Sequence, residues 1–338
     1  MTAILKMCDL SRGRGWENTI KKLIDENKDK SEEIDNLYEH YCDYLLVGEK
    51  AVKFFRFNQN KLDRLISGLK SYTVKNTEFH QYYPFPLSEE ELKDIDPLPK
   101  LVEIKKLKNS LAIIFCTKRT ISERSKISTK ELSSASKKDL GSYDELIGIK
   151  RYTRQFFDII IIWENIDLIE VRVDITGEMT SKERARSFIQ IIKQFNELAK
   201  NNFGIQTALK ENINFFPLID KFYESNEGKV GELAFTTDEG SIKFEKMRKG
   251  EVDLRNETYH RAGRQAVDHI TPYRLAILWI FEFSEDVKTQ PELLFPGQAR
   301  NLSDENQNLG EVIIKNCSNL KDYKFVLEKI INYLDSCG

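Results

Sequence analysis

The sequence predicts an α+β fold in which a mainly helical N-terminal part precedes a mixed, largely antiparallel sheet with packed helices. Apolar residues recur at helical spacing in the first part of the chain, and pairs of apolar segments flank short polar turns in the middle. No regular alternation of strands and helices indicates a parallel sheet. With 338 residues, 40% hydrophobic and 31% charged, the chain is apolar enough to bury a core.

The N-terminal part contains three stripes of apolar residues at the i, i+3, i+4, i+7 spacing of amphipathic helices. The stripes lie within residues 16–24, 34–45 and 62–69. An apolar run over 51–57 predicts a short strand between the last two. Prolines interrupt the chain at 83–86 and 96–99, and because proline fixes φ and lacks an N–H, both stretches resist regular structure. Between them, Ser88 and Glu91 have the spacing of a capping box and predict a short helix.

A change of pattern near residue 99 predicts two domains. These are a mainly helical domain over 1–99 and an α+β domain over 100–338 with antiparallel hairpins and a C-terminal helix. Apolar segments separated by short polar turns predict three hairpins, over 101–117, 151–175 and 228–247. The other predicted elements are a helix starting at Ser181, helices over 253–267 and 323–334, and a buried strand at 274–283.

Composition indicates a cytoplasmic protein without a membrane span. The longest apolar runs, 159–163 and 275–281, are far shorter than the roughly 20 residues that a spanning helix needs. The N-terminus lacks the basic region and long apolar core of a secretory signal. The five cysteines never form a C-x-x-C pair, as expected for reduced thiols. Because the net charge is only −2, attraction of a polyanion requires a local patch.

Positive charge is concentrated in residues 100–154, which contain 14 Lys and Arg against 6 Asp and Glu, so the rest of the chain carries −10. Within this segment, a stretch rich in Ser and Thr contains the basic residues Lys118, Arg119, Arg124, Lys126, Lys130, Lys137 and Lys138. Its few apolar residues predict a long mobile loop. Such arrays bind phosphate backbones because binding releases condensed counterions. A solvated loop, or a loop that docks on an acidic partner, has the same composition.

A second candidate for anion binding is the segment 11–16, Ser-Arg-Gly-Arg-Gly-Trp, directly before the first predicted stripe. Its glycines allow close backbone approach, and a helix N-terminus offers free N–H donors. Arg12 and Arg14 would add charge-assisted hydrogen bonds to a phosphate. The segment lacks the G-K-[ST] ending of a Walker loop. The alternative is a flexible connection in which Trp16 anchors the helix.

The third candidate is the central hairpin, where Asp158 begins one apolar strand and Glu170, Arg172 and Asp174 alternate along the next. This spacing resembles the D…E-x-K arrangement of restriction-type nucleases. The resemblance implies catalytic roles for the four residues, with Mg²⁺ held by Asp158 and Glu170 and a water activated beside it. Arg172 replaces the lysine, and arginine stays protonated and cannot act as a base. The alternative is an ordinary polar sheet face with ion pairs, which Asp158 joins or not according to strand register.

The fourth candidate is the predicted helix over 253–267, on which Asp253, Glu257, His260 and Arg264 line one face. A carboxylate beside a histidine can perform acid–base chemistry or bind a metal. If this face lies in a cleft, His260 and Arg264 are available to contact phosphates. The alternative is a solvent-exposed strip of ion pairs.

Three functions follow from these candidates. The preferred one is a nucleic-acid-associated protein of microbial defence or DNA maintenance that needs no cofactor for binding, because its charge segregation is counted directly from the sequence. Its nucleic-acid-binding residues would be Arg12, Arg14, Lys118, Arg119, Arg124, Lys126, His260 and Arg264. The second function is a Mg²⁺-dependent nuclease. The third is an interaction subunit of a larger complex with a protein partner.

Overall fold

The computed structural model describes residues 2–26, 30–128, 132–140, 142–177, 179–248, 252–284, 287–303 and 307–335. Lys130, one of the basic residues of the central segment, lies outside these ranges. Helices and antiparallel strands are both abundant, which confirms the predicted α+β class. Within the described ranges, no helix is both long and apolar enough to span a membrane.

Strands and helices follow one another irregularly along the chain. The strands are β1 Lys50–Arg56, β2 Lys100–Lys106, β3 Ser110–Ile127, β4 Leu146–Trp163, β5 Leu168–Asp174, β6 Lys229–Thr237, β7 Ile242–Lys246, β8 Ile270–Leu278, β9 Phe281–Ser284, β10 Val287–Thr289, β11 Glu292–Phe295 and β12 Val312–Lys315. The helices are α1 Thr2–Met7, α2 Trp16–Glu26, α3 Ser31–Val47, α4 Gln59–Lys70, α5 Glu78–Tyr82, α6 Ser134–Leu140, α7 Ser181–Phe203, α8 Phe216–Glu224, α9 Thr258–Gln265 and α10 Leu320–Asp335.

Ten strands form one sheet in the order β2-β3-β4-β5-β1-β12-β11-β8-β6-β7, while β9 and β10 pair separately. Neighbouring strands pair antiparallel. β1 lies inside the sheet, between β5 and β12. The sheet therefore contains strands from both sides of the predicted domain boundary at residue 99. The division into two domains stays a prediction.

Helices cover both faces of the sheet, because its central strands are apolar on both sides. On one face, α3, α5, α8 and α10 pack over side chains that include Val52 and Ile159. On the other face, α4 and α7 pack over side chains that include Ala51 and Ile160. Consecutive residues of one strand thus enter different cores, as the two-residue period of a strand requires. A smaller apolar cluster joins α1 to α2 and α3.

The three predicted hairpins are confirmed as β2–β3, β4–β5 and β6–β7. The predicted helical stripes are confirmed as α2, α3, α4, α7 and α10. Local chemistry fixes both ends of α7. Thr180 and Glu183 form a capping box at its start, and Gly204 closes it at a φ of 68°, a left-handed conformation that favours glycine.

The predicted helix after Ser88 is wrong. Ser88 and Glu91 do make the hydrogen bonds of a capping box, with the Ser88 amide 2.8 Å from Glu91 Oε2. Only turns follow. The segment lies between two proline-rich stretches, and so short a helix gains too few hydrogen bonds to offset its nucleation cost.

The predicted helix over 253–267 is shorter than expected. Glu257 is extended, with φ −69° and ψ 139°, and it separates the short turn Leu254–Asn256 from α9. Side chains cause the interruption: Asp253 accepts a hydrogen bond from the amide of Arg255, and Glu257 accepts one from the amide of His260. Each carboxylate caps the backbone locally and competes with a continuous helix.

The prediction of a basic loop is wrong for residues 118–127, and Lys137 and Lys138 lie on the short helix α6. β3 continues through Ile127, β4 already begins at Leu146, and the two pair residue by residue over this length. The strand period was hidden because both faces of the stretch are exposed and carry polar residues.

Candidate nucleic-acid interface

The distal part of the β3–β4 hairpin extends beyond the strands that flank it in the sheet. We call residues 118–127 with residues 146–155 the basic arm. Its first pair is Lys118 with Gln155 and its last is Ile127 with Leu146. β2 pairs with β3 only as far as Cys116, and β5 pairs with β4 only from Ile159. The arm is therefore a ribbon of two strands without lateral strand neighbours in the described chain, about 30 Å long at roughly 3.3 Å per residue.

Strand alternation gives the basic arm two faces. The front face carries Lys118, Thr120, Ser122, Arg124, Lys126, Ile147, Ile149, Arg151, Thr153 and Gln155. The back face carries Arg119, Ile121, Glu123, Ser125, Ile127, Leu146, Gly148, Lys150, Tyr152 and Arg154. The front face thus contains four cations, three hydroxyl groups and no carboxylate of its own.

Beyond its first two residues on β3, Lys118 and Arg119, most cations of the basic arm are accessible. Arg124, Lys150 and Arg151 are exposed and have no acidic partner among the described residues. Lys126 lies 2.5 Å from Glu145, but both side chains are exposed and salt screens such a pair. These groups leave a concentrated positive charge on the ribbon.

The two basic residues at the root of the arm have a different role. The Nζ of Lys118 donates to the carbonyl oxygens of Leu92 and Lys93, at 2.7 and 2.8 Å. The guanidinium of Arg119 pairs with buried Asp158 and donates to the carbonyl oxygen of Asp174 at 2.9 Å. Lys118 and Arg119, predicted to bind phosphate, instead attach the arm to the body of the protein.

Sequence reasoning did not single out Lys150 and Arg151. Both were counted in the positive charge of the central segment, but Arg151 begins a predicted hairpin strand and Lys150 directly precedes it, so neither lies in the predicted loop. The pairing of Ser122 with Arg151 brings Arg151 beside Arg124 on the front face, whereas Lys150 lies opposite Glu123 on the back face. Only the strand register shows this proximity.

The carboxylates of the central hairpin do not form one site. Ile159 is paired with Arg172, so Arg172 shares its sheet face with Ile159, while the adjacent Asp158 points to the opposite face. Glu170 and Asp174 share the face of Arg172. The register therefore does not bring Asp158 and Glu170 together as a metal-binding pair.

Hydrogen bonds occupy both oxygens of Glu170. Trp163 Nε1 donates to Oε1 at 2.6 Å, and Arg172 Nε and the Tyr323 hydroxyl donate to Oε2 at 2.9 and 2.8 Å. Burial raises the pKa of Tyr323, so its hydroxyl stays protonated and donates. The guanidinium of Arg172 also lies 3.8 Å from the centre of the Tyr323 ring. Glu170 is fully buried and serves this network.

Asp174 is engaged in a second buried network. Its Oδ2 lies 3.3 Å from Lys50 Nζ, and its Oδ1 accepts from the amide and hydroxyl of Thr176 at 3.0 and 2.7 Å. Burial opposes its ionisation, but Lys50 and Thr176 outweigh that effect and lower the pKa of Asp174 below its ordinary value. Asp158 accepts from the Asp174 amide at 2.9 Å. Among the described residues, no three His, Cys, Asp or Glu side chains form a metal-binding group. Asp158 and Glu170, the predicted Mg²⁺ ligands, therefore belong to separate hydrogen-bond networks, and Mg²⁺ binding stays a prediction.

Thr19 of helix α2 makes hydrogen bonds to the backbone of the segment 11–16. The Gly13 amide donates to Thr19 Oγ1 at 3.1 Å, and that hydroxyl donates to the Gly15 carbonyl at 2.8 Å. The Gly13 amide is therefore engaged within the segment. Arg12 and Arg14 are exposed, and Trp16 is 60% exposed, so it does not anchor the helix as the alternative required.

His260 is buried and not on a solvent-facing strip. Its Nδ1 lies 2.5 Å from Glu245 Oε2, and its Nε2 lies 3.0 Å from the Tyr223 hydroxyl. Arg264 is exposed and donates to the carbonyl of Val267 at 3.3 Å. His260 and Arg264, predicted to contact phosphates together, therefore do not share an exposed face.

Comparison of the sequence with protein-family models finds no match, and comparison with curated proteins finds no similar sequence. What supports a function is the geometry of this chain. On the front face of the basic arm, Arg124, Lys126 and Arg151 are accessible and no carboxylate of that face lies between them.

Proposed function

We propose that this protein binds nucleic acid through its phosphate backbone, with the basic arm as the contact. The observation that carries the proposal is the front face, where Arg124, Lys126 and Arg151 are exposed and no carboxylate alternates with them. Two-stranded ribbons of this kind fit the grooves of duplex DNA. Thr120 and Ser122 add hydroxyl donors, which commonly contact phosphate oxygens.

The arrangement favours electrostatic, sequence-independent binding. Each phosphate neutralised by a lysine or arginine releases condensed counterions, and the affinity falls with salt at a logarithmic slope of about −0.9 per contact. Three front-face cations predict a slope of about −3. Binding needs no metal ion.

Fluorescence anisotropy of a labelled duplex, titrated at several salt concentrations, tests the proposal. The variant Arg124→Ala with Arg151→Ala should bind more than tenfold more weakly at low salt, and its slope should be shallower by about 1.8. The control is Arg186→Ala with Lys200→Ala, which removes two exposed cations from α7. The control should bind like the wild type.

Two results would contradict the proposal. One is wild-type binding that does not depend on salt. The other is an equal loss of affinity in the arm variant and in the α7 control, since that would indicate general attraction and not a contact by the arm. Failure to bind any duplex or single strand, together with capture of an acidic protein by the arm, would favour the interaction subunit instead.

A further inference from the structure

We infer that the basic arm wedges Ile147 and Ile149 into the minor groove of duplex DNA and bends it, an inference that rests on the proposed nucleic-acid binding. The two isoleucines are 58% and 54% exposed. The register places Ile149 directly opposite Arg124 and Ile147 directly opposite Lys126, on the front face. Each of these apolar side chains thus stands directly beside a cation on the surface that faces the phosphates.

The spacing of the isoleucines fits a base stack. Residues two apart on a strand are about 6.6 Å apart, at roughly 3.3 Å per residue. Successive base pairs along one strand are about 3.4 Å apart, so the two side chains span about two base steps. Side chains directly opposite each other have Cβ atoms about 5 Å apart, which places Arg124 and Lys126 within reach of the flanking phosphates.

Apolar wedges of this kind unstack base steps and kink the duplex. The buried apolar side chains and the new phosphate contacts offset the loss of stacking. Pyrimidine–purine steps such as TA unstack most readily. We therefore expect the arm to bind a duplex with central TA steps more tightly than a duplex with a stiff A-tract, by about tenfold.

The ligand favoured by these contacts is DNA and not a membrane surface. On the front face, only the two isoleucines are large and apolar, and hydroxyl groups and cations surround them. An anionic membrane is held by a broad apolar face beneath the charges. Here Thr120 and Ser122 continue the face toward the root, and their hydroxyls suit phosphate oxygens of a backbone.

Energy transfer between dyes on the two ends of a duplex of about 30 base pairs with central TA steps measures bending, while anisotropy of the same duplex measures binding. The wild type should bring the ends closer together. The variant Ile147→Ser with Ile149→Ser should bind within about threefold of the wild type but should leave the duplex straight. The control is Ile189→Ser with Ile242→Ser, whose side chains are 68% and 62% exposed elsewhere. It should bend DNA like the wild type.

The outcomes separate the two proposals. Binding by the wild type without any change in energy transfer would overturn the wedge and leave backbone binding intact. Bending by the serine variant would overturn it as well. Absence of binding would refute the proposed function itself. Preferential binding of the wild type to vesicles of anionic phospholipid, lost in the serine variant, would show that the isoleucines enter a membrane. Thermal unfolding of each variant should match the wild type, because the replaced side chains are exposed.

Discussion

At Glu170, three hydrogen bonds converge on one buried carboxylate and one of its donors is the buried cation Arg172. Burying an ion pair costs free energy because both charges lose their hydration. Removing one member of the pair destabilises the fold further, because the other charge stays buried without a partner. The guanidinium of Arg172 has another contact, a 3.0 Å hydrogen bond to the carbonyl of Leu46, but that oxygen carries no neutralising charge. Glu170 is therefore needed for stability.

Substitution Glu170→Gln should lower the free energy of unfolding by about 3–5 kcal/mol, because it leaves the charge of Arg172 uncompensated in the core. Denaturation in urea, followed by circular dichroism, measures the change. Glu328→Gln is the matched control, since its ion pair with Lys324 on α10 is exposed, and its midpoint should equal that of the wild type. A stable Glu170→Gln protein that has lost a Mg²⁺-dependent nuclease activity would instead assign the carboxylate to catalysis.

The lowered pKa of Asp174 predicts a pH dependence of stability. Near and below the ordinary pKa of 3.8, the unfolded chain binds more protons than the folded chain. Stabilisation by Asp174 is therefore complete above about pH 5 and is lost as the pH falls through the folded pKa. The stability difference between the wild type and Asp174→Asn should be largest at neutral pH and should shrink toward pH 2.5.

Urea denaturation at pH 7, 5, 4, 3 and 2.5 measures this difference. Asp25→Asn provides a control, because Asp25 is an exposed residue of α2. Its stability should follow that of the wild type at every pH. A constant difference between Asp174→Asn and the wild type over the whole range would show that the carboxylate contributes no titrating stabilisation.

The residue alternation that made Glu170, Arg172 and Asp174 neighbours was readable from the sequence. The position of Asp158 was not. A shift of one residue in the pairing of two strands moves every side chain to the other face, and an apolar strand that is buried on both sides gives no pattern from which to choose. The partners Lys50 and Tyr323 come from segments far away in the chain, so no local spacing indicates them.

Among the elements, the hairpins and long helices were predictable from the sequence. In each, the spacing of apolar residues indicates the same element as the turn or capping residues at its ends. The basic arm was not, because Ser, Thr and basic residues on both strand faces imitate the composition of a loop. What makes this segment a ribbon is its partner strand, which pairs with it over its whole length and supplies its backbone hydrogen bonds. The carboxylate caps at Asp253 and Glu257 interrupted a helical stripe for a similarly local reason.

The arm should be separable from the rest of the fold. Replacement of residues 122–151 by Asn-Gly, between the paired residues Ile121 and Tyr152, closes the ribbon with a two-residue turn. The unfolding midpoint should stay close to that of the wild type, because the strand residues removed are mostly exposed. Duplex binding should be lost. Differential scanning calorimetry and anisotropy measure the two effects, and a large loss of stability would show that the arm is part of the cooperative core.

At the scale of the whole molecule, β1 joins two halves of the sheet. It pairs with β5 along its whole length and with β12 over its first three residues. A fragment of residues 100–338 lacks this strand, and both β5 and β12 then present unpaired edges. Exposed apolar edges promote aggregation.

We expect the fragment 100–338 to aggregate or to lack a cooperative unfolding transition, while the full chain is well folded. Size-exclusion chromatography and thermal denaturation distinguish these states, and co-expression with residues 1–99 should restore a folded complex. A monomeric fragment that unfolds cooperatively would confirm an independent domain that starts at residue 100.

The pairing of β1 with β12 also means that β1 cannot complete its pairing until the end of synthesis. Val52 is paired with Val312, which the ribosome adds 260 residues later. At elongation rates of about 5–20 residues per second, this takes roughly 13–50 seconds. During that interval the edge of β1 that pairs with β12 is exposed on the nascent chain. Because exposed strand edges promote aggregation, we expect the yield of folded protein in a cell to depend on chaperones and on translation speed.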